Sequence, residues 1–274
     1  MTMHSTVHAG RLTVADEQAL QRLLDVEPVA NVYLRSELQH GIDAGEWWGI
    51  RDGDAMRAAI LAGLLAVPCI PRRGDAPALA ETACAAVPPR MLVGPRDAVL
   101  ALHRALLASR PAREVRDPQP LLTLDRAGAQ PAAATPVRLS RRSDLDGLAV
   151  AAAAMHREEM GIDPMRIDAT AWRNRMLGLI ERGWSWVWRE HGEVIFKAEL
   201  SAHTPEAVQI QGVYTHPAWR RRGVAQAALA SVCEALLREV PVCSLYVNHY
   251  NVAALGVYAR LGFRQTGEFA TVIY

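Results

Sequence analysis

The sequence has almost no net charge: 30 Lys and Arg stand against 29 Asp and Glu, leaving +1 at pH 7. That balance argues against a dedicated nucleic-acid binder, whose phosphate contacts need a clear basic excess. Cysteine is scarce as well. Cys69, Cys84, Cys233 and Cys243 lie far apart with no CxxC pair, which speaks against a closed zinc site, a redox motif or a disulfide framework. Four scattered thiols in a chain of this size read as small buried hydrophobes in a reducing compartment. Long apolar runs are also missing. Residues 58–70, among the longest, are broken by Gly63 and Pro68 and are too short to span a bilayer. Residues 1–10 hold two histidines and no apolar run, unlike a secretory leader. The expectation is a cytoplasmic protein with no membrane and no nucleic-acid partner.

Half of the residues are hydrophobic and 22% are charged, enough apolar surface to close one or two cores. The seam is at residues 126–136, RAGAQPAAATP, where alanine, glycine and proline replace any apolar period. It divides the chain into domains at 1–126 and 137–274, with a linker at 127–136. Before the seam, spacing predicts helices over 15–24 and 31–40, strands over 47–51 and 55–66 around the turn Asp52-Gly53-Asp54, and then helix 77–86. Strand 91–93, helix 95–108 and short strands at 114–116 and 120–124 follow, with no glycine-rich phosphate loop. After it come strand 137–139, a long helix to Met160, a second helix capped near Ala169 or Thr170, and a hairpin over 184–202 around His191-Gly192. Strand 207–215, helix 223–239, strand 242–247, helix 252–261 and strand 268–274 complete the order. Trp184, Trp186 and Trp188 alternate and read as cover for a core or an interface.

Residues 209–225, QIQGVYTHPAWRRRGVA, carry the chemistry: a strand, a proline turn, three arginines, a glycine and an alanine-rich helix. The first amides of a helix have no internal partner and, with the helix dipole, attract phosphate. Gly223 removes a Cβ from the approach, Ala225 keeps the helix start open, and Arg220, Arg221 and Arg222 add charge. A solvated basic turn would have the same composition. The spacing P-x-x-R-x-x-G-x-A, from Pro217 to Ala225, resembles the coenzyme A diphosphate loop of the GNAT superfamily of N-acetyltransferases. Arg221 stands where many members of that family have glycine. A second stretch, CSLYVNHYNVAALGVYARLGF at 243–263, is similar to the family's N-x-x-A-x-x-x-Y-x-x-x-G-F segment through Asn251, Ala254, Tyr258, Gly262 and Phe263. Asn251 also suits a helix N-cap, and Tyr258 a core aromatic. EEMGIDP, VIFKAEL, VQIQGVY and FATVIY after the seam, with PVANVYL, VGP and QPLL before it, extend the likeness to bacterial two-domain GNAT proteins with a poorly characterised N-terminal domain.

The resemblance implies an α/β (α+β) fold of two tandem GNAT-like domains, each a mixed, mostly antiparallel sheet flanked by helices, the first without the phosphate loop. It implies acetyl transfer from acetyl-CoA, with no metal, to a primary amine by direct attack in a ternary complex. The amine would belong to a protein lysine, an N-terminus or a small molecule. A homodimer is a further implied partner state. Cofactor contacts fall on Val213, Tyr214, Thr215, Arg220, Arg221, Arg222, Gly223, Val224, Ala225, Gln226, Asn251 and Tyr258. A backbone N–H near Val213 would meet the thioester oxygen, and Tyr258 would be the general acid. For the base, Gln209 and Gln211 occupy positions where some members place a glutamate, and an amide accepts no proton. Glu199, Glu158 and Glu159 are the available carboxylates, with a water chain as the other route. His156, His203 and His249 read as satisfied or exposed. Lys197 and Glu199 share a strand face, either a polar outer face or an acceptor-side wall. The other readings are a non-catalytic coenzyme A-binding or sensing module, and transfer of another acyl or aminoacyl group.

Overall fold

The computed structural model describes residues 9–108 and 110–274; residues 1–8, most of the stretch read as lacking a leader, lie outside the described residues. The chain divides into two compact units. One gathers the chain to Leu122 with Tyr246–Val252 and Gln265–Tyr274; the other holds Thr123–Leu245 and Ala253–Arg264. The expected linker 127–136 falls inside the second unit, where Arg126 Nε donates to the Leu237 carbonyl at 2.5 Å and Thr135 Oγ1 meets Ser231 Oγ at 2.8 Å.

The first unit runs β1 (Ala9–Arg11), a 3-10 turn (Val14–Asp16), α1 (Glu17–Leu24), α2 (Val32–Leu38), β2 (Glu46–Asp52), β3 (Ala55–Ala62) and β4 (Leu65–Cys69). α3 (Ala76–Glu81), α4 (Ala83–Ala86), β5 (Met91–Pro95), α5 (Arg96–Leu106) and β6 (Glu114–Asp125) follow. The second repeats the order: β7 (Arg138–Leu139), a 3-10 turn (Arg142–Asp144), α6 (Leu145–Met160), α7 (Pro164–Glu181), β8 (Ser185–Glu190), β9 (Glu193–His203) and β10 (Ala207–Thr215). A 3-10 turn (Pro217–Trp219), α8 (Val224–Glu239), β11 (Val242–Tyr246) and α9 (Val252–Arg260) follow, and β12 (Arg264–Ile273), nearly all of which belongs to the first unit, is the last element. In each unit the first four strands pair antiparallel in succession, β1 to β4 and β7 to β10, and one parallel pair follows: β4 with β5, β10 with β11. β12 lies antiparallel to β5, from Phe269 opposite Pro95 to Ile273 opposite Met91, and its Ala270 and Val272 sit in the core with Ile60, Leu92 and Leu102. In the second unit, Leu148 and Ala151 of α6 pack on Val187, Val194 and Tyr214.

Several boundaries differ from those read in the sequence, each for a local reason. The run 55–66 is two strands, β3 and β4, separated at Gly63-Leu64, and the two short strands at 114–124 are the single β6. α7 begins at Pro164, with the Asp163 carboxylate capping Met165, and kinks at Asp168. The Asp168 carboxylate accepts the Ala171 N–H at 2.9 Å, so the cap expected at 169–170 is the kink. The hairpin turn at His191-Gly192 has φ of 48° and 86°, the mirror-image geometry that twisted strands prefer. Of the three tryptophans, Trp186 is buried, Trp188 donates to Glu190, and Trp184 lies under the Arg182 guanidinium at 4.7 Å. Among the described residues no helix is long and apolar enough to cross a membrane.

Both units start their first helix with the same device. Asp16 accepts the Thr13 N–H and the Arg51 guanidinium; Asp144 accepts the Arg141 N–H at 2.9 Å, Arg138 at 2.7 Å and Arg189 at 3.2 Å. The arginine hydrogen bonds hold each carboxyl at about 2, against 3.8 ordinarily. A carboxyl lowered on folding stabilises the fold above its unfolded pKa, and the gain is lost as pH falls through the folded one. Asp144→Asn is therefore expected to cost about 2 kcal/mol at pH 7, shrinking toward pH 2. Urea unfolding at pH 7 and pH 3 reads the difference.

Candidate functional site

β10 pairs with β11 only from Ala207 opposite Val242 to Gln209 opposite Ser244. Beyond that point β10 keeps β9 on its other side, and its edge from Ile210 to Thr215 has left the parallel partner. The parting strand ends in a turn: His216 Nδ1 accepts the Ala218 N–H, Pro217–Trp219 make a 3-10 turn, and the chain enters α8.

That entry is built for a close approach. Gly223 is the N-cap of α8 at φ 78°, with no capping side chain, so the amides of Val224, Ala225 and Gln226 have no partner within the sixteen-residue helix. A Cβ built on Gly223 meets nothing within 4 Å. Arg221 lies at φ 60°, a left-handed conformation that glycine adopts at no steric cost. The arginines do different jobs. Arg220 turns back: its Nε donates to the Thr215 carbonyl at 2.9 Å, its guanidinium holds both Glu158 oxygens at 2.8 and 2.9 Å, and it lies over the Tyr214 ring. Arg221 and Arg222 are exposed, the latter over the Trp219 ring. Gln226 Oε1 accepts from Arg260. The open amides, the missing Cβ and the unpaired β10 edge fit a diphosphate carried on an extended arm.

The corresponding turn of the first unit is built differently. β4 leads through Pro71-Arg72-Arg73-Gly74 to Asp75, a fully buried carboxylate at the start of α3, bonded to Arg57. That carboxylate makes no hydrogen bond to the amides of α3, a helix of only six residues.

Tyr258, on α9, is buried against Phe263 with ring centroids 5.7 Å apart. Burial, then the nearby Glu159 and Cys233 charges, pushes its phenol above the ordinary range. Asn251 stands exposed just before α9, its N–H bonded to the Asn248 carbonyl at 2.9 Å. Val213 and Thr215 are half-buried and Tyr214 is buried. Of the carboxylates, Glu158 is engaged by Arg220 and Glu159 is exposed on α6. Glu199 is 4% exposed and accepts Lys197 Nζ at 2.5 Å. The outer-face reading of Lys197 and Glu199 is thereby corrected: both are buried, because each supplies the other's counter-charge. Gln209 is buried where the strands part; its Oε1 accepts from Ser201 while its Nε2 has no protein partner. His156 pairs with the Ile162 carbonyl and His249 with the Pro118 carbonyl.

One feature was invisible in the spacing. Cys233 of α8 and Cys243 of β11 meet; their hydrogen bond, with burial, raises the Cys233 thiol well above its ordinary range. All four cysteines are free and buried. Among the described residues, no group of three or more His, Cys, Asp or Glu side chains is placed to hold a metal ion.

Comparison with known proteins supports the same half of the chain. Residues 152–263 match the acetyltransferase (GNAT) family, and residues 45–148 match a domain of unknown function, DUF4081. No curated protein matches the sequence. Among solved structures, a GCN5-related N-acetyltransferase from Sphaerobacter thermophilus is similar at 17% identity and TM-score 0.65, over 99% of this chain and 96% of that one. A GNAT-family acetyltransferase from Colwellia psychrerythraea is 11% identical at TM-score 0.61, covering 97% and 99% of the two chains. A tandem GNAT protein from the clavulanic acid biosynthesis pathway is 17% identical at TM-score 0.57, covering 97% and 98%. At these identities the likeness is one of fold. Together with the family match, it makes residues 152–263 a GNAT acetyltransferase domain, preceded in the chain by a DUF4081 domain.

Proposed function

We propose that this chain transfers an acetyl group from acetyl-CoA to a primary amine by direct attack. The observation that carries the reading is the open α8 start behind Gly223, at the end of a β10 that has left β11. The amides of Val224, Ala225 and Gln226, with Arg221 and Arg222, would hold the diphosphate. The free β10 edge, Val213 to Thr215, would pair with the pantetheine amides as an added strand does. The thioester oxygen gains charge in the transition state, and the Val213 N–H is its donor. Tyr258 supplies a proton to the departing thiolate. Glu158 is held by Arg220 and Glu199 by Lys197; Glu159, whose charge reaches Tyr258, would take the ammonium proton through water. Arg220 fixes the loop, and Asn251 starts the helix that carries Tyr258. The four buried free thiols suit a reducing, cytoplasmic setting.

Calorimetry with acetyl-CoA, followed by thiol release against α-amino, lysyl and small-molecule amines, tests the proposal. Absence of acetyl-CoA binding sinks it. A second reading, a coenzyme A module that transfers nothing, is favoured by Gln209, a buried amide that accepts no proton where some relatives carry glutamate. Tight binding with no turnover on any amine would select it.

A further inference from the structure

Lys197 is the only lysine in the sequence, and it is completely buried. A buried ammonium needs a counter-charge and a partner for each proton it presents. Lys197 Nζ donates to Glu199 Oε1 at 2.5 Å and to the backbone carbonyl of Gly212 at 2.8 Å. That carbonyl belongs to an irregularity in β10. Gln211 lies opposite Glu199 and Tyr214 opposite Lys197, so Gly212 and Val213 together face Ala198, a one-residue bulge. Gly212 sits at φ 60°, and a Cβ there would lie 2.9 Å from Glu199 Oε2 and 3.0 Å from Lys197 Nζ. The ion pair is therefore packed directly against the bulge, and only glycine fits between them.

A trans peptide sends its C=O and N–H in opposite directions. With the Gly212 carbonyl drawn to Lys197, the Val213 N–H of the same peptide points away from the ion pair. We propose that Lys197, held by Glu199, is the positioning residue that fixes and polarises the Gly212–Val213 peptide, so that the Val213 N–H becomes a strengthened donor to the thioester oxygen. This rests on the acyl-CoA reading above. The ammonium's direct hydrogen bond acts through one peptide group in a low-dielectric interior, where hydrogen bonds in series reinforce one another. A lysine suits the place because its compact ammonium offers rotatable donors where a planar guanidinium needs more room. Lys197 touches no reacting atom; its effect passes through the backbone.

The test reads the carbonyl itself and needs no acceptor. Acetyl-CoA labelled with carbon-13 at the thioester carbonyl is bound to the wild-type protein, and its isotope-edited infrared stretch is compared with that of the free compound. A shift to lower frequency is expected in wild type, and in Lys197→Met/Glu199→Met about half of it or more should vanish while affinity stays within about threefold. Replacing both charges avoids a lone buried ion, and an apolar pair of similar volume is commonly tolerated. Lys197→Gln/Glu199→Gln provides a second, polar variant with the same expectation, and circular dichroism identifies which variants are folded. A full wild-type shift in either folded variant overturns the proposal while leaving the acyl-CoA reading intact. Failure of the wild type to bind acetyl-CoA overturns both. No turnover enters, so a role for Glu199 as a base would leave the measurement unmoved.

Discussion

Tyr258→Phe is expected to lower kcat by about 10²–10⁴-fold and to leave acetyl-CoA affinity within a few-fold. The substitution keeps the ring against Phe263 and removes only the hydroxyl, so the melting temperature should barely move. The phenol's pKa is raised by burial first and by the Glu159 and Cys233 charges after it. A raised pKa keeps the proton on the oxygen as pH climbs, so Tyr258 is a donor across the whole working range. Its ionisation then sets no alkaline limb below about pH 10. A rate that falls in alkali well below that value, and does so equally in Tyr258→Phe, belongs to another group. A kcat unchanged in Tyr258→Phe would mean that water protonates the thiolate, and the assignment of Tyr258 would be lost.

Local order was the readable part of the fold. The strand at 207–215, the helix after Gly223 and the hairpin around His191-Gly192 appear where periodicity and turn residues put them. These depend on neighbours in sequence. The loop motif was equally legible, because a helix N-cap, a glycine and three arginines are contiguous. What the sequence hid depends on contacts between distant residues. β12 joins β5 of the first unit, and Cys233 meets Cys243 across a helix and a strand. Lys197 and Glu199 alternate like an exposed edge, yet both are buried, since a counter-charge two residues away makes burial tolerable. Arg220 reads as a phosphate ligand by position; that its guanidinium holds Glu158 on α6 was not legible. The first unit's turn shows why a composition match is not enough. Arg72-Arg73-Gly74 resembles Arg221-Arg222-Gly223, but the next residue, Asp75, is a buried carboxylate paired with Arg57, and the helix it opens has only six residues.

Gly223→Val is expected to weaken coenzyme A binding by about 100-fold or more, because a branched side chain enters the space through which a diphosphate reaches the α8 amides. The free protein should tolerate the change. A Cβ at this position meets nothing within 4 Å, so no neighbour is displaced. The cost lies in the backbone: φ of 78° is unfavourable for a residue with a Cβ, by roughly 1–2 kcal/mol. In a protein of this size that corresponds to a fall of about 2–8 °C in melting temperature. Gly223→Ala separates the two effects, since it carries most of the backbone strain with little of the bulk and should keep more of the affinity. Arg222→Ala offers a further contrast. Its guanidinium lies over Trp219 on the exposed side of the loop, so its loss should be smaller and should fade as salt screens the charge. Calorimetry on the three variants ranks amide access against side-chain charge. Unchanged affinity in folded Gly223→Val would remove the diphosphate from the α8 start, and with it the observation on which the transferase reading rests.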